Sequence, residues 1–350
     1  MDAFQIGPAR LGPEAPPFIV AELSGNHNGS LERALALVDA AADTGAHAIK
    51  LQTYTADTMT LDISEGEFVI TDADSLWHGR NLYDLYAEAM TPWEWHAPLF
   101  ERARARGMAA FSSPFDATAV DFLETLDVPA YKIASMENTD WPLLKRVART
   151  GKPVIMSTGV SSLADVAASV EVLRANGCQH LILLKCTSSY PAPPETANLC
   201  TIPHLAQAFG CLSGLSDHTL GIGTAIAAVA LGAAMIEKHF TLARADGGVD
   251  SAFSLEPAEF QTLVTECDRA WRSVGQVQYG TQSEEHTAKG HKRSIYAARD
   301  IAAGEAYTPE NIRVIRPANG LPPRHYERLL GKTASRDIAL GTPLSWDLIL

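Results

Sequence analysis

Hydrophobic residues in the first three quarters of the chain come in short continuous runs, each closed by polar residues. These runs lack strict apolar–polar alternation, so they predict parallel strands that are covered on both faces. About eight runs alternate with segments of helical spacing; they fall at residues 18–21, 48–53, 109–114, 130–135, 153–159, 181–188, 211–215 and 233–236. Eight such units over roughly 250 residues predict an α/β fold, a (β/α)₈ TIM barrel. A doubly wound open sheet is the alternative, but no Gly-x-Gly-x-x-Gly follows the first run.

Three segments depart from this regular pattern. Residues 55–91 form an insertion after the second predicted strand, which indicates either a lid over the catalytic face or simple packing at the barrel mouth. Residues 276–292 are polar and predict a linker between a barrel domain, 1–275, and a final domain, 293–350. That last segment contains the near-repeat RDIAAGEAYT and RDIALGTPLS, which predicts a small, mostly β domain. Such a domain would be marginally stable alone, so we expect it to pack on another surface.

The composition narrows the classes of partner and compartment. A net charge of −13 over 350 residues argues against nucleic acid or an anionic membrane as a partner. No apolar run is long enough to cross a bilayer, and the first residues show no signal-peptide pattern. The five cysteines form no Cys-x-x-Cys pair, which is typical of reduced thiols. We therefore expect a cytoplasmic protein.

Two histidines lie at corresponding places in the segment 214–242. His218 and His239 each follow a predicted strand, and a small apolar helical segment separates the two strands. In a parallel barrel the carboxyl ends of neighbouring strands lie side by side on the catalytic face. Two neutral imidazoles directed at one point suit a divalent transition metal. The alternative is two unrelated histidines at strand ends.

Lysines and hydroxyl groups follow the other predicted strands. The polar residues at these positions are Glu22, Lys50, Gln52, Ser113, Lys132, Ser135, Ser157, Ser188, Tyr190 and Ser216. Taken singly, such lysines commonly reach solvent and such serines commonly cap helices. Taken together, they predict a site for phosphate and carboxylate groups, beside a metal that polarises a carbonyl. The chemistry indicated is condensation of a phosphorylated anion with an aldehyde. Asp250, in a glycine-rich loop, would reach the metal or a substrate hydroxyl, or would form an Asx turn.

These motifs resemble those of the sialic acid synthase family. The matching pieces are IVAELSGNHNGS, AIKLQTYTADTMTLD, FSSPFD, DVPAYKIAS, GKPVIMSTG, KCTSSYPAP, GLSDHTLG and IEKHFTL. The final domain is similar to the antifreeze-like (SAF) domain that closes these enzymes. Within the family, Ser24 and the SLWHGRNLYDLY, TPWEWH and GGVDSAFSLEP segments look most like the branch that makes pseudaminic acid. Ser188 stands where N-acetylneuraminate synthases tend to have Asn.

The resemblance implies a site and a reaction. Phosphoenolpyruvate would bind among Lys50, Ser113, Lys132, Ser135, Ser157, Ser188, Tyr190 and Ser216, without a fixed division between its phosphate and its carboxylate. Gln52, Asn81 and Arg316 complete the implied substrate-binding set. His218 and His239 would hold the metal, with Mn²⁺ favoured over Mg²⁺ or Co²⁺, because imidazole ligands suit Mn²⁺ better than Mg²⁺. Glu22 and Asp250 would orient a water molecule or take its proton.

The resemblance also implies an assembly and a substrate. The family forms domain-swapped homodimers, in which Arg316 would reach the partner's sugar; otherwise Arg316 is a surface residue. The expected substrate is 2,4-diacetamido-2,4,6-trideoxy-altrose, with N-acetylneuraminate or legionaminate synthesis as alternatives. Apolar contacts to its 6-deoxy carbon would come from among Trp77, Tyr83, Trp93 and Trp95. The antifreeze-like tail disfavours a phosphoenolpyruvate–aldose condensation outside this family. The charged strand ends disfavour a purely carbohydrate- or ice-binding protein.

Overall fold

The computed structural model describes residues 3–73 and 75–350, so the predictions that include residues 1, 2 and 74 lie outside it at those positions. The chain divides into two compact units, Met1–Gly275 and Gln276–Leu350. Among the described residues, no helix is both long and apolar enough to cross a membrane.

The first unit is a closed barrel of eight parallel strands, which confirms the predicted (β/α)₈ fold. A short antiparallel hairpin, β1 with β2, precedes the barrel strands β3 to β10. The strands are β1 Phe4–Ile6, β2 Ala9–Leu11, β3 Phe18–Glu22, β4 Ala48–Thr53, β5 Ala109–Pro114, β6 Tyr131–Ile133, β7 Val154–Ser157, β8 Leu181–Cys186, β9 Leu212–Asp217 and β10 Met235–His239. They follow one another around the barrel in chain order, and β10 closes it by pairing with β3.

Ten helices accompany these strands in the described part of this unit. They are α1 Leu31–Asp43, α2 Ala56–Met59, α3 Leu82–Ala89, α4 Trp93–Ala105, α5 Ala117–Thr125, α6 Trp141–Ala148, α7 Leu163–Ala175, α8 Thr201–Phe209, α9 Gly223–Ala230 and α10 Pro257–Val274. Helices α2 and α3 lie in the predicted insertion, and the other eight each follow one barrel strand. Ser30 caps α1, because its hydroxyl accepts a hydrogen bond from the Arg33 backbone N–H at 3.2 Å.

Alternate side chains along each strand belong to two separate apolar layers. Val20, Ala48 and Met235 belong to the cluster that fills the barrel interior. Leu215 and Ile236 belong to the larger cluster between the strands and the helices. Because successive strand residues face opposite sides, the residue two positions after an interior apolar residue also faces the interior, nearer the carboxyl end. This alternation decides which polar side chains meet inside the barrel.

Strands β9 and β10 extend further than their apolar segments predict. The predicted runs stop at residues 215 and 236, whereas the strands continue to Asp217 and His239. Polar residues continue the parallel ladder here, since Glu237 pairs with Ser216 and Lys238 with Asp217. Hydrophobicity therefore marks the lower part of each strand, and the polar upper part carries the chemistry.

The second unit is built from short strands and bridges, as the near-repeat predicts. Strand β11, Ser294–Ala297, pairs antiparallel with β12, Ile312–Ile315. The short helices are α11, His286–Lys289, within the predicted linker, and α12, Tyr326–Leu329. The two copies of the near-repeat pair with each other through equivalent residues. Ile301 and Ile338 exchange backbone hydrogen bonds of 2.9 and 2.8 Å.

The same exchange extends to the aspartates of the near-repeat. The Asp300 carboxylate accepts from the Leu340 backbone N–H at 2.7 Å, and that of Asp337 accepts from Ala303 at 2.8 Å. Each half therefore supplies an acceptor that the other half uses.

A buried histidine in α4 makes the stability of the barrel depend on pH. His96 is fully buried, its Nε2 lies 2.8 Å from the Thr53 hydroxyl, and burial lowers its pKa to about 4. Between pH 6.5 and 4 the unfolded chain binds a proton here that the folded protein does not, so the free energy of unfolding falls as pH falls. The loss attributable to this group reaches about 3 kcal/mol at pH 4.

Replacing this histidine with His96→Gln separates its titration from that of the carboxylates. We expect the variant to be less stable than the parent at pH 8, because the replacement disturbs a packed site. The difference should shrink by about 3 kcal/mol at pH 4, measured by urea unfolding at both pH values. A difference that stays constant with pH would show that His96 is not the group responsible.

Candidate active site

Side chains from all eight barrel strands converge inside the carboxyl end of the barrel. Seven of them are polar, and β8 contributes a cysteine. Each lies two residues after a small or apolar interior residue of its strand, and together they are Glu22, Lys50, Ser113, Lys132, Ser157, Cys186, Ser216 and Glu237. All eight residues are buried. The structure therefore brings together six of the predicted site residues and adds two, Cys186 and Glu237, which the sequence reasoning missed.

Two lysines and two carboxylates form a network at the centre of this group. Lys50 Nζ lies 2.6 Å from Glu22 and 3.5 Å from Glu237, while Lys132 Nζ lies 3.4 Å from Glu237. The Gln52 amide donates to Glu22 at 3.0 Å. The formal charges of the two lysines and two carboxylates cancel, which is how four ionisable groups can share a buried site.

The pKa values of these four groups reflect burial opposed by charge. Burial disfavours the ionised form of each group, yet Glu22 and Glu237 raise the pKa of Lys50. Lys132 and Lys50 likewise outweigh burial and lower the pKa of Glu237. Burial prevails at the other two groups, since it raises the pKa of Glu22 and lowers that of Lys132. Glu237 is thus the carboxylate that holds the two ammonium groups together.

Hydroxyl groups surround the two lysines. Lys50 donates to Ser113 Oγ at 3.3 Å, and Ser216 donates to Glu237 at 3.3 Å. The Ser135 hydroxyl accepts from the Gly159 backbone N–H at 3.2 Å. Ser157 Oγ is buried and has no hydrogen-bond partner within the part of the chain that the structure describes. Because a buried hydroxyl without a partner is costly, it points to a ligand that would accept from it.

Gly159 leaves the space between two of these serines. A Cβ at this position would lie 2.4 Å from Ser188 Oγ and 2.6 Å from Ser135 Oγ. We expect Gly159→Ala to push both hydroxyls aside and to raise the KM for the anionic substrate by about 10- to 100-fold, with a smaller effect on thermal stability. Steady-state kinetics measure this change.

Gly223→Ala is the matched control for this substitution. Gly223 begins α9, and a Cβ there meets nothing within 4 Å. Its substitution should leave the KM within about twofold of the parent, since alanine is a better helix former than glycine. Equal effects of the two substitutions would contradict a specific role for the space at Gly159.

The two predicted histidines lie together above this network. The ring centroids of His218 and His239 are 5.4 Å apart, and Tyr190 lies 4.3 Å from His218. His218 Nδ1 lies 2.9 Å from the Thr187 carbonyl, which only accepts, so in the neutral ring Nδ1 carries the hydrogen and Nε2 the lone pair. His239 Nδ1 lies 3.4 Å from Ser24 Oγ. The neighbouring strands thus present two imidazoles at one place, as the sequence predicts.

The electrostatic surroundings of the two rings differ. Burial, with the positive charge of His218 and Lys50, lowers the pKa of His239 well below its ordinary value, so His239 is neutral at pH 7. At His218 burial is outweighed by Cys186, whose sulfur lies 3.8 Å from Nδ1, and the pKa of His218 is raised. In turn, His218 outweighs burial at Cys186 and lowers the pKa of that thiol to about 7.

Asp250 lies in the loop after β10 and lines the same cavity as His239. Burial raises its pKa, opposed by the Ser24 hydroxyl. Ser24 therefore links Asp250 to His239, a role that the sequence reasoning did not assign. Its backbone is in the left-handed region, with φ of 38°, and its N–H donates to Glu22 at 3.1 Å.

The donor set fits a metal ion with open coordination positions. The two imidazoles supply suitable nitrogen atoms, and Asp250 lines the same cavity as His239. Within residues 3–73 and 75–350, however, no group of three or more His, Cys, Asp and Glu side chains is arranged to hold an ion. Water and substrate would have to complete the coordination, as in catalytic metal sites. The metal assignment stays a prediction.

A cavity of about 460 Å³ is lined by His239 and Tyr190, and the insertion forms one wall of it. The apolar residues that the insertion contributes to it are Met59, Ile70, Trp77, Leu82, Leu85, Tyr86 and Ala89. Trp77 also donates to the Val249 carbonyl at 3.2 Å, which ties the insertion to the loop of Asp250. The insertion, called the lid below, therefore packs over the site; that it opens and closes stays a prediction.

Of the four aromatic residues considered for the sugar, only Trp77 is among those that line the described cavity. Tyr83 donates to Asp57 within the lid at 3.1 Å. Trp93 stacks on Phe122 with ring centroids 4.7 Å apart, and Trp95 packs against the outer core. The cavity also includes Glu137, which the sequence reasoning missed and whose pKa burial raises to about 7.

Two predicted substrate-binding residues lie elsewhere. Asn81 caps α3, where its amide donates to the Ile63 carbonyl at 2.6 Å and its carbonyl accepts from Asp84 N–H at 3.2 Å. These bonds occupy Asn81 within the lid, and it is not among the cavity residues. Arg316 is an exposed residue of the second unit. Its predicted contact with a partner's sugar stays a prediction.

The remaining predicted residues, Gln52, Ser135, Ser188 and Tyr190, lie at the site. Gln52, Ser135 and Tyr190 line the cavity, and Ser188 faces Ser135 across Gly159. The fold and site together define a TIM-barrel enzyme with an anion site of lysines and hydroxyls beneath a pair of imidazoles. The chain belongs to the NeuB family, whose model matches residues 37–279, and residues 292–350 match the SAF domain.

Relatives of known name agree with this membership. The chain is 43% identical over 327 residues to a pseudaminic acid synthase of Campylobacter jejuni, covering 93% of this chain and 95% of that protein. It is 42% identical over 333 residues to a pseudaminic acid synthase of Helicobacter pylori, covering 95% and 97%. A crystal structure of N-acetylneuraminic acid synthetase from Leptospira borgpetersenii, in complex with citrate, superposes with a TM-score of 0.73 at 32% identity, covering 82% of this chain and 95% of that one.

Proposed function

We propose that this chain is a pseudaminic acid synthase. It condenses phosphoenolpyruvate with 2,4-diacetamido-2,4,6-trideoxy-altrose and water, and it releases pseudaminic acid and phosphate. The observation that carries the proposal is the buried group of two lysines and several hydroxyls beneath two imidazoles. The likeness to relatives named pseudaminic acid synthase supports the choice of sugar.

Phosphoenolpyruvate would lie on the network at the end of the barrel strands. Lys50 and Lys132 supply positive charge, and the Ser157 hydroxyl, which no other described residue bonds, supplies a donor for phosphate or carboxylate oxygen. Glu22 and Glu237 hold the two ammonium groups in place before the anion arrives. The binding anion would then share the lysine protons with these carboxylates, so little rearrangement is needed.

The open-chain sugar would occupy the cavity above, with its aldehyde near His218 and His239. The lid residues Ile70 and Leu82 give that cavity an apolar wall, which suits a 6-deoxy carbon and acetamido methyl groups. The lid also limits access of bulk water to the reacting carbons.

A divalent ion, Mn²⁺ in preference to Mg²⁺ or Co²⁺, would be held by His218 and His239 and would polarise the aldehyde as a Lewis acid. Because imidazole binds metal only when its nitrogen is unprotonated, the raised pKa of His218 should make metal affinity increase with pH.

The reaction follows from this placement of the two substrates. Carbon 3 of phosphoenolpyruvate attacks the aldehyde carbon, whose oxygen takes up a proton and becomes a hydroxyl. A water molecule then loses a proton as it adds to the resulting oxocarbenium carbon. Phosphate leaves with cleavage of its C–O bond, and the new hydroxyl loses its proton to give the keto group. Asp250, whose pKa burial raises, would accept a proton from that water, and Glu22 would orient it.

Phosphate release from phosphoenolpyruvate in the presence of Mn²⁺ tests this function. The two sugars to compare are 2,4-diacetamido-2,4,6-trideoxy-altrose and N-acetylmannosamine. Release with the first alone is the expected result. Release with N-acetylmannosamine alone would make the protein an N-acetylneuraminate synthase, and release only with a legionaminate precursor would assign it to that branch.

We further propose a domain-swapped homodimer in the cytoplasm. Apolar side chains are exposed on the loops and first helical turns after β6, β7 and β9, including Met136, Val160 and Leu220. Such a patch around a catalytic face suits coverage by another chain. Arg316 of the partner would then contact the sugar. The five free cysteines suit a reducing compartment. Light scattering should give a molecular mass twice that of one chain. The double variant Val160→Asp/Leu220→Asp should give the mass of a single chain.

A further inference from the structure

A second pair of buried charges lies on the outside of the barrel, directly behind the two histidines. Lys238 Nζ lies 2.6 Å from Asp217 Oδ2, and both side chains are 1% exposed. The two residues are register partners on the neighbouring strands β9 and β10. Leu215 and Ile236, two positions earlier, belong to the outer apolar layer, so the pair faces the helices and not the substrates.

The pair also holds the turn that carries His218. Asp217 Oδ1 accepts from the Thr219 backbone N–H at 2.9 Å and from its hydroxyl at 2.8 Å. Lys238 Nζ donates to the Thr219 carbonyl at 2.7 Å. His218 lies between the two anchored residues Asp217 and Thr219, while His239 directly follows Lys238. One ion pair thus fixes the backbone beside both imidazoles.

Stability alone does not account for these charges. Removing two ions from water costs several kcal/mol each, and replacing a buried pair by apolar residues of similar volume is often neutral or stabilising. An apolar pair could not hold Thr219 through its N–H, hydroxyl and carbonyl, because it offers no polar atoms. The pair therefore specifies a geometry more than it adds free energy.

We propose that Asp217 and Lys238 are positioning residues that set the separation and orientation of His218 and His239. The anchor restrains both histidines on the backbone side, opposite to the face that meets the substrate. Its catalytic consequence rests on the proposed function, whereas its effect on the two rings does not. A fixed pair of imidazoles would bind a metal and align an aldehyde without further ordering of the loop.

The test uses the double variant Asp217→Asn/Lys238→Met in the full chain. Asn retains an acceptor for Thr219, and Met retains the length of the lysine stem. The variant therefore loses chiefly the bonds of Lys238 Nζ to Asp217 and to the Thr219 carbonyl. We expect a melting temperature within about 5 °C of the parent. The variant loses the attraction between the two charges, but it also avoids the cost of removing them from water.

Three measurements decide the proposal. Hydrogen–deuterium exchange at the imidazole Cε1–H, followed by mass spectrometry, should accelerate at least about threefold at His218 and His239, and remain unchanged at His47 and His180. Mn²⁺ affinity, titrated by electron paramagnetic resonance, should fall by about 10- to 100-fold. The kcat should fall by a similar factor while the KM for phosphoenolpyruvate changes by less than about twofold, since Lys50 and Lys132 lie on other strands.

Unchanged exchange at both histidines in the folded double variant would overturn the proposal, whatever its melting temperature. If the double variant does not fold, Asp217→Asn alone replaces it. Exchange at both imidazole rings should then accelerate by a smaller factor, and unchanged exchange would overturn the proposal. The exchange measurement requires neither metal nor sugar. A parent protein that condenses no sugar would therefore refute the proposed function while leaving this inference to be decided by exchange.

Discussion

Lys50→Met should reduce the rate of condensation by about 10³-fold, the effect of removing a preorganised charge from a site that excludes water. Lys50 bonds Glu22 at 2.6 Å, contacts Glu237 at 3.5 Å and reaches Ser113 at 3.3 Å. Its removal takes away half of the positive charge available to phosphoenolpyruvate. It also leaves Glu22 buried without a cation, which should lower the free energy of unfolding by about 3–5 kcal/mol.

Two further variants separate the loss of activity from the loss of stability. Lys50→Met combined with Glu22→Gln removes the uncompensated charge, so it should recover most of the stability but none of the activity. Lys185→Met is the matched control, because Lys185 lies near the end of β8 but donates to the Cys186 carbonyl at 2.7 Å, away from the network. Its turnover should stay within a few-fold of the parent. Phosphate release and urea unfolding measure both quantities. A folded Lys50→Met protein with normal turnover would contradict the assigned anion site.

His239→Ala should abolish tight Mn²⁺ binding and reduce turnover by about 10³-fold or more, because it removes one of two protein ligands proposed for the ion. His239 is neutral at pH 7, so the loss is that of a lone pair and not of a charge. Bound metal is measured by mass spectrometry of the purified protein, and turnover by phosphate release. His218→Ala should give the same result.

His180→Ala is the control for the histidine variants. His180 stacks on Phe4 of β1 with ring centroids 4.6 Å apart, and it immediately precedes β8, at the opposite end of the barrel from His239. Its replacement should leave metal content and turnover unchanged. If His239→Ala retained its metal but lost turnover, His239 would contact the sugar directly, and the metal would have to lie elsewhere.

Most of the barrel could be predicted because its strands are apolar where they are buried on both faces. The same criterion placed the ends of β9 and β10 too early, because Ser216, Asp217 and Glu237 continue those strands as polar residues. Glu237 was missed for this reason. The alternation of strand side chains supplied the missing signal, since Glu237 and His239 are two residues apart and must face the same side.

Other parts of the site had no signal in a single sequence. Asn81 has the same side chain whether it caps a helix or contacts a sugar, and only its bond to Ile63 reveals the former. Ser157 resembles any serine at the end of a strand in the sequence, and only the structure reveals that its hydroxyl has no partner among the residues described. Lys238 and Asp217 are 21 positions apart in sequence, and their pairing depends on the register of two strands that apolar patterning does not determine.

The mutual pairing within the second unit has a consequence for how that unit unfolds. Ile301 and Ile338 satisfy each other's backbone groups, and Asp300 and Asp337 each accept from the opposite copy. Neither copy can loosen without leaving the other with exposed strand edges, so the two should open together as one cooperative unit. A single protease cut between the copies, at the exposed residues 322–324, would therefore leave a nicked but intact domain. The exchange would hold its two halves together until both separate at once.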